Sequence, residues 1–361
     1  MSKDIVRSFG LVGLFVMAQS TSWAHDPTSG GCDDRRVSQF QFTGENDVLV
    51  PFDPSDDDYT NGLRFDWTYV RGCAPKWMGS WGEQHLPRIA EQLRHFVYKD
   101  SVPADYHYAV EFGHMIFTPN DLDATQLIVE DRPYAGFAYG GVSFAVTDNE
   151  GPTQARRQHQ FQFLVGAVGP ISHAEQVQKF AHFISQSSPP RGWDNQLHNE
   201  PGLQLNHTFQ QRFVFGGEHF DFIPGTNLAL GSLYDFAGVQ ALLRVGTKNM
   251  RGFPVSNITL SAADADHRGD GKFEFYFYGG AEARAVFHNI FLDGNTFVDS
   301  HNVKKERYVY DLKTGASLRY DQWRLSYSFV RRSREFSPDP PGVNTAGHGF
   351  GSVTISWEPK F

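Results

Sequence analysis

The sequence predicts an all-β chain: a 12-stranded antiparallel transmembrane β-barrel with a short helix in an outer loop. Three observations carry that expectation. Residues 1–24, MSKDIVRSFGLVGLFVMAQSTSWA, read as an export signal, with Lys3 and Arg7 before an apolar run from Leu11 to Met17 and small Ser22 and Ala24 at its end. No later run approaches the roughly 20 apolar residues of a spanning helix, so an inserted chain has to cross as strands. The last segment, GFGSVTISWEPKF, alternates apolar Phe350, Val353, Ile355 and Trp357 with polar Ser352, Thr354 and Ser356 and closes on Phe361, like the final strand of a bacterial outer-membrane barrel. Composition fits such a wall: aromatics are 15% of the chain, with 32 Phe, 14 Tyr and 35 Gly. A large soluble sandwich or propeller is the competing fold, and a strand of that kind at the end of the chain argues against it.

Dyad alternation bounded by turn residues places strands near 38–50, 59–71, 104–118, 134–147, 154–168, 201–217, 226–235, 236–247, 272–288, 303–319, 322–336 and 346–361. An even count closes a barrel with both termini in the periplasm. Residues 25–361 then form one barrel. Its outer loops are 51–58, 119–133, 169–200 and 289–302, and 72–103 is a periplasmic insertion in which LPRIAEQLRHFV is expected as an amphipathic helix across the barrel end. Cys32 and Cys73, the chain's two cysteines, fall at that same periplasmic end in an oxidising compartment, and a disulfide between them is expected. The net charge of −9 offers no basic patch for nucleic acid, so no nucleic-acid partner is expected.

The helix of the outer loop comes from VGPISHAEQVQKFAHFISQSSPP. Ser172 and Glu175 have the spacing of a capping box, and Pro189 and Pro190 mark the far limit. Val177, Ala181 and Ile184 recur as an apolar face, with Glu175, Gln178 and His182 as a polar stripe on another. That stripe, with His182 on it, is where chemistry could sit, and a histidine that only hydrogen-bonds within a packed loop is the bland reading beside it. Near the same rim, Gly44-Glu45-Asn46-Asp47 ends strand one and Asp56-Asp57-Asp58-Tyr59-Thr60-Asn61-Gly62 opens strand two. Their crowd of carboxylate, amide and hydroxyl oxygens is the ligand set of calcium, and it is also the ordinary chemistry of a solvated acidic turn.

These residues carry a family resemblance. Asn46-Asp47, Tyr59-Thr60-Asn61-Gly62, Asp131-Arg132-Pro133-Tyr134-Ala135-Gly136, the run from Val168-Gly169-Pro170 through Glu175-Gln176-Val177-Gln178 to His182, Gly192-Trp193-Asp194-Asn195-Gln196, and Asn289-Ile290-Phe291-Leu292-Asp293-Gly294-Asn295-Thr296-Phe297 stand in order along the chain. Together they resemble the outer-membrane lipid A 3'-O-deacylase family. The resemblance implies calcium-dependent hydrolysis of the 3'-linked acyloxyacyl ester of lipid A in the outer leaflet, at a site between the barrel wall and an outer-loop helix. By that resemblance His182 is the base that activates water, and Asn46, Asp47 and Thr60 are functional polar residues. Asp47 is the implied metal ligand, Ca2+ the cofactor, lipopolysaccharide the substrate, and Gln178 and Arg132 are substrate-binding. The chain departs from the family in the loop TPNDLDATQLIVEDR, which lacks the lysine of the best-known members and leaves two readings of Arg132 open, a substitute for it (as another cation could be) or a structural ion-pair partner, and in Ser188, where an acidic residue is usual.

Two other functions remain open on the sequence. A phospholipase needs a serine beside the histidine, and Ser172, Ser185, Ser187 and Ser188 are near it in the chain. A non-catalytic barrel could keep the frame without the lysine. A GxSxG elbow is absent, so nothing points to a soluble serine hydrolase.

Overall fold

In each wall strand, one set of alternate residues is polar and the other apolar, and the computed structural model shows which set faces where. It describes residues 37–50, 58–69, 73–98, 104–148, 156–248, 250, 252–253, 272–337 and 347–359. Twelve antiparallel strands form one closed barrel in chain order, β1 (Val37–Asn46), β2 (Asp58–Tyr69), β3 (Ala104–Thr118), β4 (Ala135–Asp148), β5 (Arg156–Val168), β6 (Glu200–Phe215), β7 (Phe220–Gly231), β8 (Tyr234–Gly246), β9 (Phe273–Asn289), β10 (Tyr308–Tyr320), β11 (Trp323–Arg332) and β12 (Gly349–Trp357). β12 closes on β1 with Phe42 opposite Ile355 and Asn46 opposite Gly351, so the alternating C-terminal strand completes the wall.

The wall is inside out. Gln39, Gln41, Arg64, Asp66, Glu111, Gln162, Asn206, Glu282 and Asp311 are buried toward the lumen, while Phe65, Phe112, Phe163, Leu203, Leu228, Leu243, Phe277, Leu312 and Leu325 are exposed on the outside. Lumen charges are paired, Arg64 with Asp66 at 2.8 Å along one strand, and across strands Arg244 with Asp221 at 2.7 Å, Lys313 with Glu282 at 2.6 Å, and Arg284 and Arg332 both with Asp311 at 2.9 Å. Apolar outside and ionic inside is the pattern a lipid solvent selects. Among the described residues no helix is long and apolar enough to cross a membrane.

The outer mouth of the barrel is stoppered by the one-turn helix α3 (Ile290–Asp293), whose Phe291 stacks on Phe117 with ring centroids 4.0 Å apart. Asn289 caps that turn by accepting from the Phe291 amide at 3.1 Å, and Lys305 grips Asp293 at 2.7 Å. Burial works against the Asp293 carboxylate, yet bonds from His288 and Lys305 hold it below the ordinary range. The motif from Asn289 to Phe297 thus builds a plug, which argues against a passive pore.

Several boundaries differ from the sequence reading. β7 runs Phe220–Gly231 rather than 226–235, because Gly216, Gly217 and Glu218 all take positive φ and form the preceding turn. The first strand stops at Asn46, and Asp47–Leu49 is a 3-10 turn. Phe361, residues 1–24 expected as an export signal, and Cys32 lie outside the described residues; Cys73 is buried and disulfide-bonded. The insertion forms a 20-residue helix, α1 (Gly79–Tyr98), and it does not cross the barrel end. Leu86, Ala90 and Tyr98 instead pack on Tyr106, Tyr108, Val110, Phe144 and Val146, the outward positions of β3 and β4.

Candidate active site on the outer wall

The loop after β5 carries the helix α2 (Ala174–Ser185). The capping box expected from Ser172 and Glu175 is not formed. His173, with φ 57°, is the N-cap and bonds no amide through its side chain, and Glu175 pairs with Lys179 along the exposed flank. Ser172 belongs to the preceding 3-10 turn and is buried against β4. Gly136 makes that approach possible: a Cβ there would stand 2.4 Å from Ser172 Oγ and 2.1 Å from Ala174 Cβ.

α2 lies on the outside of the wall. His114 of β3 faces outward, like Phe112 two residues before it, and its Nε2 donates to the Ser172 carbonyl at 2.9 Å. Ile116, also outward, is buried with Ala174, Tyr134 and Trp193, and Val177 packs against them. The buried stripe of the helix is Ala174, Gln178 and His182. Val177, Ala181 and Ile184, the apolar face, are half-buried and flank it, and Phe180 and Phe183 are exposed. A helix between a barrel wall and lipid has reason to turn polar groups inward, since its far side meets hydrocarbon or headgroups.

Gln178 and His182 are both held by the loop that follows. Trp193 Nε1 donates to Gln178 Oε1 at 2.9 Å, and its ring packs on Tyr134 at 4.9 Å. The amide is thereby oriented, and Gln178 Nε2 is buried without a hydrogen-bond partner. His182 Nδ1 donates to the Ser188 carbonyl at 2.6 Å, which in the neutral ring leaves the lone pair on Nε2. Four residues apart on one helix face, these side chains are neighbours. They offer a base and an amide donor side by side. The role of Trp193 was missed in the sequence reading, although its motif Gly192–Gln196 was in view.

The first two strands bring Asn46, Asn61, Ile116 and Gly136 into one outward row of the ladder across β1 to β4. The seat of α2 and the Asn46 position therefore share one face of the wall. Asp47, next in the chain, is fully buried at 0% exposure. Thr60 stands at an irregularity in the β2–β3 register between Tyr59 and Asn61, and its side chain is outside the described residues. Asn61 Oδ1 is buried without a hydrogen-bond partner. An amide oxygen in that state beside Asn46 and Asp47 fits a hard cation such as calcium. Among the described residues no three His, Cys, Asp or Glu side chains gather as a metal site; Asp56 and Asp57 lie outside them.

Arg132 is not on this face. It is buried in the lumen mouth, its Nη2 3.0 Å from Glu335 Oε2 and its guanidinium over the Phe117 and Phe336 rings at 5.7 and 5.4 Å. Burial alone would raise the Glu335 carboxyl, but Arg332 and Arg132 hold it at about 2. Of the two readings open for Arg132, substitute for the absent lysine or structural ion-pair partner, the structure has the second, on the other side of the wall.

The family model described as outer membrane protein LpxR matches residues 10–359. Among solved structures, LpxR from Salmonella typhimurium is similar with a TM-score of 0.66 at 18% identity, covering 89% of this chain and 99% of that one. The translocator domain of the autotransporter NalP from Neisseria meningitidis aligns at a TM-score of 0.37 and 9% identity, over 90% of this chain and 86% of that one. No curated protein matches the chain. An inside-out wall of twelve strands and a family match over nearly its whole length have one reading: the chain belongs to the LpxR family of outer-membrane proteins.

Proposed function

We propose that this outer-membrane barrel is a lipid A 3'-O-deacylase that hydrolyses the 3'-linked acyloxyacyl ester with a water activated by His182. The observation that carries the reading is the buried pair Gln178–His182, clamped by Trp193 and Ser188 against the lipid-facing side of the wall. An amphiphile held in the outer leaflet can reach that seam sideways without leaving the bilayer, and a soluble substrate would have no such need.

In this mechanism the neutral His182 takes the proton of the attacking water at Nε2, while its Nδ1–H stays on the Ser188 carbonyl and fixes the ring. Gln178 Nε2 donates to the ester oxygen that becomes negative, its orientation set by Trp193. Asp47, with Asn46 and Asn61 beside it, would hold calcium, which when bound lends positive charge to the same oxygen. The protonated His182 then returns its proton to the leaving sugar oxygen. No serine nucleophile is needed.

One observation favours a second reading, a non-catalytic barrel of the same frame: residues 118–132 contain no lysine and Arg132 is bound to Glu335. Purified protein in detergent, given hexa-acylated lipid A, separates the two. The enzyme reading expects release of the 3'-linked acyl group, lost on chelation, restored by Ca2+, and reduced at least ~100-fold by His182→Ala. No release from folded barrel at any Ca2+ concentration would leave the scaffold reading.

A further inference from the structure

The same two strands that seat α2 also seat α1. α2 covers the outward side chains His114 and Ile116 of β3, and α1 covers Tyr106, Tyr108 and Val110 of the same strand. Only Phe112, 46% exposed, faces out between them. From Val110 to His114 is four residues, about 13 Å of strand at ~3.3 Å per residue, and strand tilt makes the vertical gap smaller. The apolar band of an outer-membrane barrel is about 25 Å tall. The gap is too short to hold the band, so the helices have to enter it.

The free side of α1 is built for that position. Trp77 just before it, Trp81 near its start and Phe96 near its end are 69%, 53% and 78% exposed, although the helix has a packed apolar side elsewhere. Between the aromatic ends the exposed side carries Glu83, Gln84, Arg88, Gln92 and His95, the last 3.3 Å from Glu91. Both ends are tethered. Cys73, six residues before the helix, is disulfide-bonded, and Tyr98 Oη donates to the Arg157 carbonyl of β5 at 2.8 Å. On β5, which α1 does not cover to the same extent, the outward neighbour Phe163 is open to lipid. α1 therefore extends the lipid-facing surface of the wall at the end where both termini of the barrel emerge.

We infer that α1 is an interfacial membrane helix: it lies along the headgroup level of the periplasmic leaflet, with Trp77, Trp81 and Phe96 in the phospholipid acyl boundary and Arg88 and His95 among the phosphates. Polar middle, aromatic ends and low overall apolarity are the features of such helices. Because α1 and α2 grip one strand pair, the depth of α1 fixes the height at which α2 meets the opposite leaflet. The proposal stands on the position of α1 and does not depend on the catalytic reading.

The test is quenching of tryptophan fluorescence in nanodiscs of phosphatidylcholine brominated at acyl positions 6 and 7, comparing the parent protein with a Trp77→Phe/Trp81→Phe variant. Both residues are exposed, so the variant keeps the fold, which a heat-modifiable gel shift verifies. The difference between the two proteins is the emission of Trp77 and Trp81. The expected result is that brominated lipid quenches this difference by half or more, while aqueous iodide quenches it at least 5-fold less than it quenches free tryptophan. Iodide quenching as strong as for free tryptophan, with no effect of brominated lipid, would overturn the proposal and put this face in water, where a soluble periplasmic partner could reach it.

Discussion

His182 and Gln178 show how a polar residue becomes buried without entering a core. Their burial comes from the wall on one side and the 186–199 segment on the other, and Trp193 links the two. Trp193→Phe keeps the ring against Tyr134 and removes only the indole donor, so the expected effect is a fall in kcat of ~10-fold or more with an unchanged barrel, measured by lipid A turnover and gel mobility. Glu335 is the other residue whose state is set by its neighbours. Its carboxyl, held at about 2 against an ordinary 4.5 by the two arginines, contributes roughly 3 kcal/mol above pH 4.5, and that contribution drains away as pH falls from 4.5 through 2. Thermal melts of the parent and Glu335→Gln should differ at pH 7 and converge toward pH 2; parallel melts at all pH values would contradict the assignment. His182 was legible in the sequence as a stripe residue, and Arg132 as a motif residue. Their opposite fates were not legible, because which side of the wall a loop residue turns to depends on the packing of Phe117, Phe336 and Glu335, all distant in the chain.

At the scale of elements, α2 is positioned by an absence of side chain. Gly136→Val places methyl groups where Ser172 and Ala174 already sit, and lifts the helix off β4. Activity is expected to fall by more than ~10-fold while the closed barrel persists, since Gly136 faces out and its ladder partners Ile116 and Gly169 are otherwise unchanged. Strand order and most strand limits were readable from alternation, which a wall between lipid and a polar lumen imposes on every strand. The helices were harder. Ordinary amphipathicity puts apolar residues inward, and the apolar face of α2 is Val177, Ala181 and Ile184, whereas the wall took Ala174, Gln178 and His182. The same rule laid the insertion helix across the barrel end; lipid as a second solvent let it settle on the outer face of β3 and β4.

For the whole molecule, the paired charges of the lumen and the α3 plug give a closed barrel with its candidate site on the outside. The disulfide at Cys73 belongs to the periplasmic end, and thiol labelling should find no reactive cysteine in the intact protein and two after reduction in denaturant. Even one labelled thiol in the intact protein would contradict that bond. The family and the fold were legible from motif order and the C-terminal strand; the seam between α2 and the wall was not, because it joins residues from β3, β4 and the 169–199 loop that only the register aligns. The central claim is that this seam removes the 3'-linked acyl group from lipid A. Its most direct test is mass spectrometry of lipid A from cells expressing the parent chain and His182→Ala at matched membrane levels. The expected result is loss of the 3'-acyloxyacyl mass with the parent alone; lipid A of unchanged mass in both, from barrels shown to be folded in the outer membrane, would contradict it.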